Sequence, residues 1–256
     1  AEINHVRDSS SHNEHANLTL IAKNQLGYKN LIKLISKSQI VGKTSGIPVI
    51  ETEWLTEHSD GLIALSGGFR GHIGKAVLDT NHDLFLKRIK YFQKIFKEDF
   101  VLEISRINRP QEDLYNDYIL SKAGELGLPV IASNEVRFID KEDFEAHETR
   151  VCIQKGEVLS DARRTRNYFE DQYFLSPEEM YEKFKDIPEV LSNAYELGKK
   201  CNLEIETGIY VLPDFETPLN KSASEHLIEL SKNNLRDKIK DFSCLLYTSD
   251  AADERN

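Results

Sequence analysis

Short apolar runs alternate with amphipathic stretches through the first half of the chain. Runs of this length are typical of buried strands, and they lie at residues 18–22, 62–65, 100–104 and 130–132. Between them apolar residues recur at helical spacing, most clearly over residues 83–96 and 110–126. This alternation predicts an α/β fold built on a parallel sheet or a β/α barrel.

The second half reads mainly as helix and connecting segments. Ser176, Pro177 and Glu179 form the sequence of a capping box and predict a helix start. Further helices are expected over residues 188–201 and 222–240, residues 203–212 read as extended, and 1–17 as loop. We expect the last helix to turn five apolar side chains inward: Leu227, Ile228, Leu230, Leu235 and Ile239.

Composition narrows the functional classes. The chain has 256 residues, of which 39% are hydrophobic and 30% charged, so we expect a sizeable core rather than disorder. The net charge of −10 argues against the whole chain gripping a phosphate backbone, although a local basic patch or a place in a larger nucleic-acid enzyme remains open. An odd set of three cysteines and no apolar run of membrane length predict a reduced, cytoplasmic protein. Because no Met begins the chain, we expect an internal truncation there.

Polar residues or glycines lie at the ends of three of the predicted strands: Ser66 to Gly68, then Glu103, then Asn134 with Glu135. In a β/α barrel such strand ends converge on one face, where two carboxylates can bind a divalent cation. The alternative is that each glutamate pairs with a nearby arginine. The candidate arginines are Arg106, Arg109 and Arg137.

A basic run precedes several aromatic residues and forms a possible contact patch for a nucleic-acid backbone. It consists of Arg163, Arg164 and Arg166. Because the chain is acidic overall, a solvated loop or a clamp between domains is the favoured alternative.

Several stretches together resemble the PHP (polymerase and histidinol phosphatase) domain of bacterial replicative DNA polymerase III alpha subunits, gammaproteobacterial in type. The resemblance extends over about residues 18–240. The stretches that carry it include GLIALSGGFRGHIGKAVL, FVLEISRINRP, GLPVIASNEVRFIDKEDFEAHETRVCIQKG and AYELGKKCNLEIETGIYVLPDFETP.

The resemblance implies a distorted β/α barrel that lacks its first strands, followed by mainly helical residues leading towards the polymerase region. Residues 1–17 would be a loop at the truncation and 18–212 an incomplete PHP domain. Residues 213–243 would be a linker and a helix entering the polymerase thumb and palm. Residues 244–256 resemble a translated sequencing adapter, so we expect them to be an artefact.

The resemblance also implies what the parent protein does. It would extend DNA from nucleoside triphosphates, using Mg²⁺ held by palm aspartates downstream of this chain, so we expect no catalytic residue here. Its implied partners are DNA, other replisome subunits and a proofreading exonuclease subunit docked on this domain. No membrane partner is expected.

Metal-binding members of the family differ from this chain at four of five metal-site positions. They have Cys, His, Asp and His where this chain has Gly68, Ile107, Glu135 and Arg137, and only Glu103 matches. Gly and Ile offer no donor atom and Arg is a fixed cation, so we expect no bound metal. Arg137 is expected to pair with Glu103 or Glu135 instead. The rival interpretation is an active metal-dependent phosphoesterase or 3′–5′ exonuclease with residual ligands at Glu103, Glu135 and His72.

Overall fold

The computed structural model describes residues 2–7, 15–44, 46–208, 210, 215–218 and 221–241. The chain divides into two compact units, Ala1–Ile205 and Glu206–Asn256. The predicted adapter segment, 244–256, lies outside the described residues. The predicted boundary at residue 212 stays a prediction.

The larger unit is organised around a six-stranded sheet of order β5-β1-β2-β6-β7-β8, and a separate two-stranded sheet joins β3 and β4. The strands are β1 Glu2–Arg7, β2 His15–Ala22, β3 Lys43–Thr44, β4 Ile47–Pro48, β5 Ile50–Glu51, β6 Leu62–Leu65, β7 Phe100–Ser105 and β8 Val130–Ser133. β6, β7 and β8 are parallel neighbours, as are β1 and β5, whereas β2 is antiparallel to β1 and β6. The predicted α/β class with a parallel-rich sheet is therefore confirmed. Barrel closure stays a prediction, since β5 and β8 are the two ends of this sheet among the described strands.

The loop predicted over residues 1–17 is wrong for residues 2–7 and 15–17, whereas residues 8–14 lie outside the described residues. Glu2–Arg7 forms β1 and pairs with β2, which begins at His15. In β2 the buried residues Ala16, Leu18 and Leu20 alternate with more exposed ones, the period-two pattern of a strand. The contiguous apolar run at residues 18–22 hid this longer alternation, which begins among polar residues.

Nine helices are described. They are α1 Gln25–Ile40, α2 Thr52–Glu57, α3 His72–Leu78, α4 His82–Phe96, α5 Glu112–Leu126, α6 Phe144–Lys155, α7 Pro177–Lys183, α8 Glu189–Lys199 and α9 Ala223–Asp241. The predicted capping box of α7 is confirmed, because Ser176 Oγ accepts from the Glu179 amide at 3.2 Å and the Glu179 carboxylate accepts from the Ser176 amide at 2.8 Å. Residues 203–208 form no strand, and residues 209, 211 and 212 lie outside the described residues, so the extended segment predicted over 203–212 stays a prediction. No helix in the described part of the chain is long and apolar enough to cross a membrane.

The two faces of the sheet have different partners. Leu102 and Ile104 of β7 belong to the large core, which also contains residues of α1, α3, α4 and α5. Val101 and Ile131 lie in a small cluster on which Leu197 of α8 packs. Since side chains alternate along a strand, Glu103 shares the face of Val101. The α8 side of the sheet thus carries an apolar cluster with a carboxylate two residues further along β7.

The inward apolar face predicted for α9 is wrong. Leu227, Ile228, Leu230 and Leu235 are all exposed, and only Ile239 is half-buried. The periodicity of the helix is real, but its own unit supplies no cover for that stripe among the described residues.

Candidate functional site

The carboxyl ends of β7 and β8 open onto a cleft of ≈ 180 Å³. The lining residues are Asn17, Thr19, Gly67, Glu103, Glu135, Val136 and Arg137. The cleft lies at the edge where parallel strands end, which is where α/β folds place their sites. The structure therefore brings together three of the predicted site residues, Glu103, Glu135 and Arg137.

The turn after β6 approaches this cleft through two glycines with left-handed backbone. Gly67 has φ +78°, and a Cβ there would lie 2.1 Å from the Asn17 carbonyl oxygen, so no other residue fits. Gly68 has φ +57°, and a Cβ there would lie 4.0 Å from the carboxyl carbon of Glu103. A side chain at position 68 would thus point at Glu103, and glycine leaves that place without a donor atom.

The backbone of Glu103 is fixed on both sides. Its amide donates to Ser66 Oγ at 3.0 Å, and its carbonyl accepts from the Tyr115 hydroxyl at 2.8 Å. Burial, together with the nearby Glu103 charge, raises the pKa of Tyr115, so the phenol stays a neutral donor. This strand end is held rigidly in place.

Glu135 is paired with Arg109. The Arg109 guanidinium donates to Glu135 Oε2 at 2.7 Å, and the two side chains are 5% and 16% exposed. The same guanidinium lies 4.8 Å from the ring centroid of Phe69 and 5.7 Å from that of Phe169. Of the three arginines considered from the sequence, Arg109 therefore neutralises Glu135. The pairing predicted for Arg137 stays a prediction, and its guanidinium lies 5.9 Å from the Tyr168 ring centroid.

A buried carboxylate positions the loop that carries Arg109. Glu112 accepts from Ser105 Oγ at 2.8 Å and from the Ile107 amide at 2.7 Å, with the Arg109 amide at 3.4 Å. Burial raises the pKa of Glu112. Sequence reasoning missed this residue, although an acidic residue in the first helical turn was a usable signal. Ile107, one of the predicted metal-site positions, is fully buried beside it and contributes only apolar surface.

A third guanidinium, that of Arg70, interacts with the Arg109–Glu135 ion pair and with Arg137. The pKa of Arg70 is lowered, first by burial and then by the charges of Arg109 and Arg137, while Glu135 acts in the opposite direction. Arg70 and Arg109 thus interact with Glu135, and Arg137 lines the same cleft as Glu103 and Glu135. Unlike a metal centre, which gathers negative ligands, this arrangement gathers positive charge.

The three arginines of the predicted basic patch have different surroundings in the structure. The Arg164 side chain is only 5% exposed and pairs at 2.5 Å with the buried Glu148 of α6. Arg163 is 90% exposed and binds Asp161 through two nitrogens, and Arg166 is exposed. The contact predicted for this run stays a prediction: the charge of Arg164 is neutralised by Glu148, and this ion pair ties the loop to α6.

Comparison with known proteins finds similarity over most of this chain. Residues 1–107 match the PHP domain. "DNA polymerase III subunit alpha" of Vibrio cholerae is 44% identical over 87% of this chain and 19% of its own length. The proteins of the same name from Pseudomonas aeruginosa and Escherichia coli K12 are 41% and 42% identical over 87% and 88% of this chain and 19% of their lengths. The predicted resemblance is confirmed, and the chain spans about a fifth of the length of these relatives.

The donor set of the cleft does not fit a metal cluster. Gly68 offers no donor, Ile107 offers only carbon, and the carboxylate of Glu135 is bound by Arg109. The rival ligand His72 is buried in α3 beside Phe92, with ring centroids 6.5 Å apart, and does not line the cleft. Among the described residues no group of three or more His, Cys, Asp or Glu side chains is arranged to hold a metal ion.

Proposed function

We propose that this chain is part of a DNA polymerase III alpha subunit of a cytoplasmic replicase, in which its PHP domain is a metal-free scaffold with a distorted β/α barrel. The similarity over about 88% of the chain to alpha subunits supports this. Because the chain covers about a fifth of those proteins, template-directed DNA synthesis, the Mg²⁺ that serves it, and contacts with DNA and other replisome subunits are proposed for the longer protein.

The observation that carries the proposal is the Arg109–Glu135 ion pair. It holds the strand-end carboxylate at 2.7 Å in a nearly buried place where the metal-binding members have a ligand. A fixed guanidinium there supplies the positive charge that a metal ion would otherwise supply. The ion pair therefore keeps the cleft rigid, but without a metal ion the cleft cannot catalyse hydrolysis.

The test is the metal content of the full-length protein, purified without chelator and analysed by inductively coupled plasma mass spectrometry. We expect well under one transition-metal ion per chain, and no metal-dependent 3′–5′ exonuclease or phosphoesterase activity in the absence of a separate exonuclease subunit. One or more ions per chain, with such an activity that a chelator removes, would instead support the rival enzyme.

We further propose that the domain docks the proofreading exonuclease subunit of the polymerase core. Because the described residues of the cleft include none that could catalyse hydrolysis, we expect proofreading to be carried out by a separate chain. Co-elution of the full-length protein with that subunit in size-exclusion chromatography tests the docking, and independent elution at micromolar concentrations would contradict it.

A further inference from the structure

A second and larger depression lies on the surface between the segment before α6 and the start of α7. We call it the Phe174 groove, and its volume is ≈ 840 Å³. The lining residues are Ile139, Asp140, Lys141, Glu142, Tyr173, Phe174, Leu175, Ser176, Pro177, Glu179 and Met180. Its two sides are joined by a hydrogen bond from the Phe174 amide to the Ile139 carbonyl, at 3.1 Å.

The groove presents large apolar side chains to solvent from a hydrogen-bonded frame. Phe174 and Ile139 are each 71% exposed, while Leu175 beneath them is buried. Hydrogen bonds fix both sides: the Asp140 amide donates to Asp143, and Ser176 and Glu179 cap each other. Exposed apolar side chains that lie together on such a frame are typical of a protein interaction surface.

The charge of the rim selects the occupant. The lining includes the carboxylates of Asp140, Glu142 and Glu179 against the single cation Lys141. Hydrogen bonds from the Ser176 amide and the Tyr173 hydroxyl lower the pKa of Glu179, which keeps it ionised. A nucleic-acid backbone would be repelled by this rim. A second copy of this chain, with its own net charge of −10, is also disfavoured.

We propose that the Phe174 groove binds a segment of the exonuclease subunit that places apolar anchors against Ile139 and Phe174, with Lys or Arg residues flanking them. This inference rests on the proposed docking function and names its surface. Apolar anchors seated in a pocket contribute most of the affinity of such interfaces, whereas rim charges mainly set the association rate and its salt dependence.

The experiment measures the affinity of the full-length protein for the purified exonuclease subunit by isothermal titration calorimetry at two salt concentrations. The variants are Phe174→Ser with Ile139→Ser, and Glu142→Lys. The matched control is Leu114→Ser, which removes a side chain 69% exposed on α5, outside the groove. Because all these side chains are exposed, circular dichroism is expected to show unchanged folding.

We expect the double variant to bind at least about 10-fold more weakly and Glu142→Lys to bind more weakly with less salt dependence, while the control matches wild type. If wild type binds but the double variant binds equally well, the groove is the wrong surface and docking itself stands. If wild type does not bind at all, the docking function fails. Binding of a single-stranded oligonucleotide that depended on Phe174 would also overturn the assignment.

Discussion

Replacing Arg109 with methionine tests the ion pair of the cleft. The substitution keeps much of the apolar stem but leaves Glu135 without the guanidinium now 2.7 Å away. Removing one partner of a buried pair costs roughly 3–5 kcal/mol. The 16% exposure of Glu135 and the nearby charge of Arg70 reduce that penalty, whereas lost stacking on Phe69 adds to it. We expect a net loss of about 2–4 kcal/mol in local stability.

The assay is hydrogen exchange of the full-length protein, followed by mass spectrometry of peptides covering residues 105–111 and 130–137. Exchange reports the free energy of local opening, which suits a protein with several domains better than a global melt. The matched control is Arg106→Met, whose partner Asp186 is 55% exposed and whose guanidinium lies 4.9 Å from the Phe184 ring centroid, and we expect a smaller loss of about 1 kcal/mol there. Adding Glu135→Leu to Arg109→Met is expected to recover part of the loss, because the unpaired carboxylate is then gone.

Equal effects of Arg109→Met and Arg106→Met on the cleft peptides would refute this reasoning. So would a double variant no more stable than the single one. Either result would mean that the pair is incidental to the rigidity of the cleft.

Two further predictions concern backbone and titration. Gly67→Ala is expected to cost about 2 kcal/mol or more in local stability, measured by the same hydrogen exchange, since its Cβ would clash with the Asn17 carbonyl at φ +78°. Gly127→Ala, at φ +63° in open space, is the control and is expected to cost only about 1 kcal/mol; equal losses would contradict the clash. His147 has a lowered pKa, mainly through burial and then the charge of Arg150, so below pH 6.5 the unfolded chain binds a proton that the folded chain does not. Wild type is therefore expected to lose more local stability around α6 than His147→Gln between pH 7.5 and 5.5, measured by hydrogen exchange at each pH, and parallel losses would contradict this.

The sequence carried enough information for the strands and helices around the cleft. The apolar run at Leu62–Leu65 became β6 with those bounds, and Gly127 ends α5 in left-handed geometry. These elements are specified locally, by runs, caps and glycines, which is why the spacing alone located them. Convergence of Glu103 and Glu135 at one edge followed from the parallel order of β7 and β8.

Long-range choices were not predictable in the same way. Three arginines lie close in sequence to the strand-end glutamates. The one that pairs with Glu135 is Arg109, whose guanidinium packs near the rings of Phe69 and Phe169. The inward turn of Arg164 likewise depends on Glu148, 16 residues away on another element. The stripe of α9 shows the converse, because helical periodicity predicts a face but not what covers it.

The metal content of the full-length protein tests the central claim most directly, especially beside a variant in which family ligands are restored. That variant carries Gly68→Cys, Ile107→His, Glu135→Asp and Arg137→His. After incubation with Zn²⁺ or Mn²⁺ and desalting, wild type is predicted to retain well under one ion per chain, and a gain in the restored variant would show that these positions decide it. Wild-type protein that retained one or more ions per chain would contradict the account.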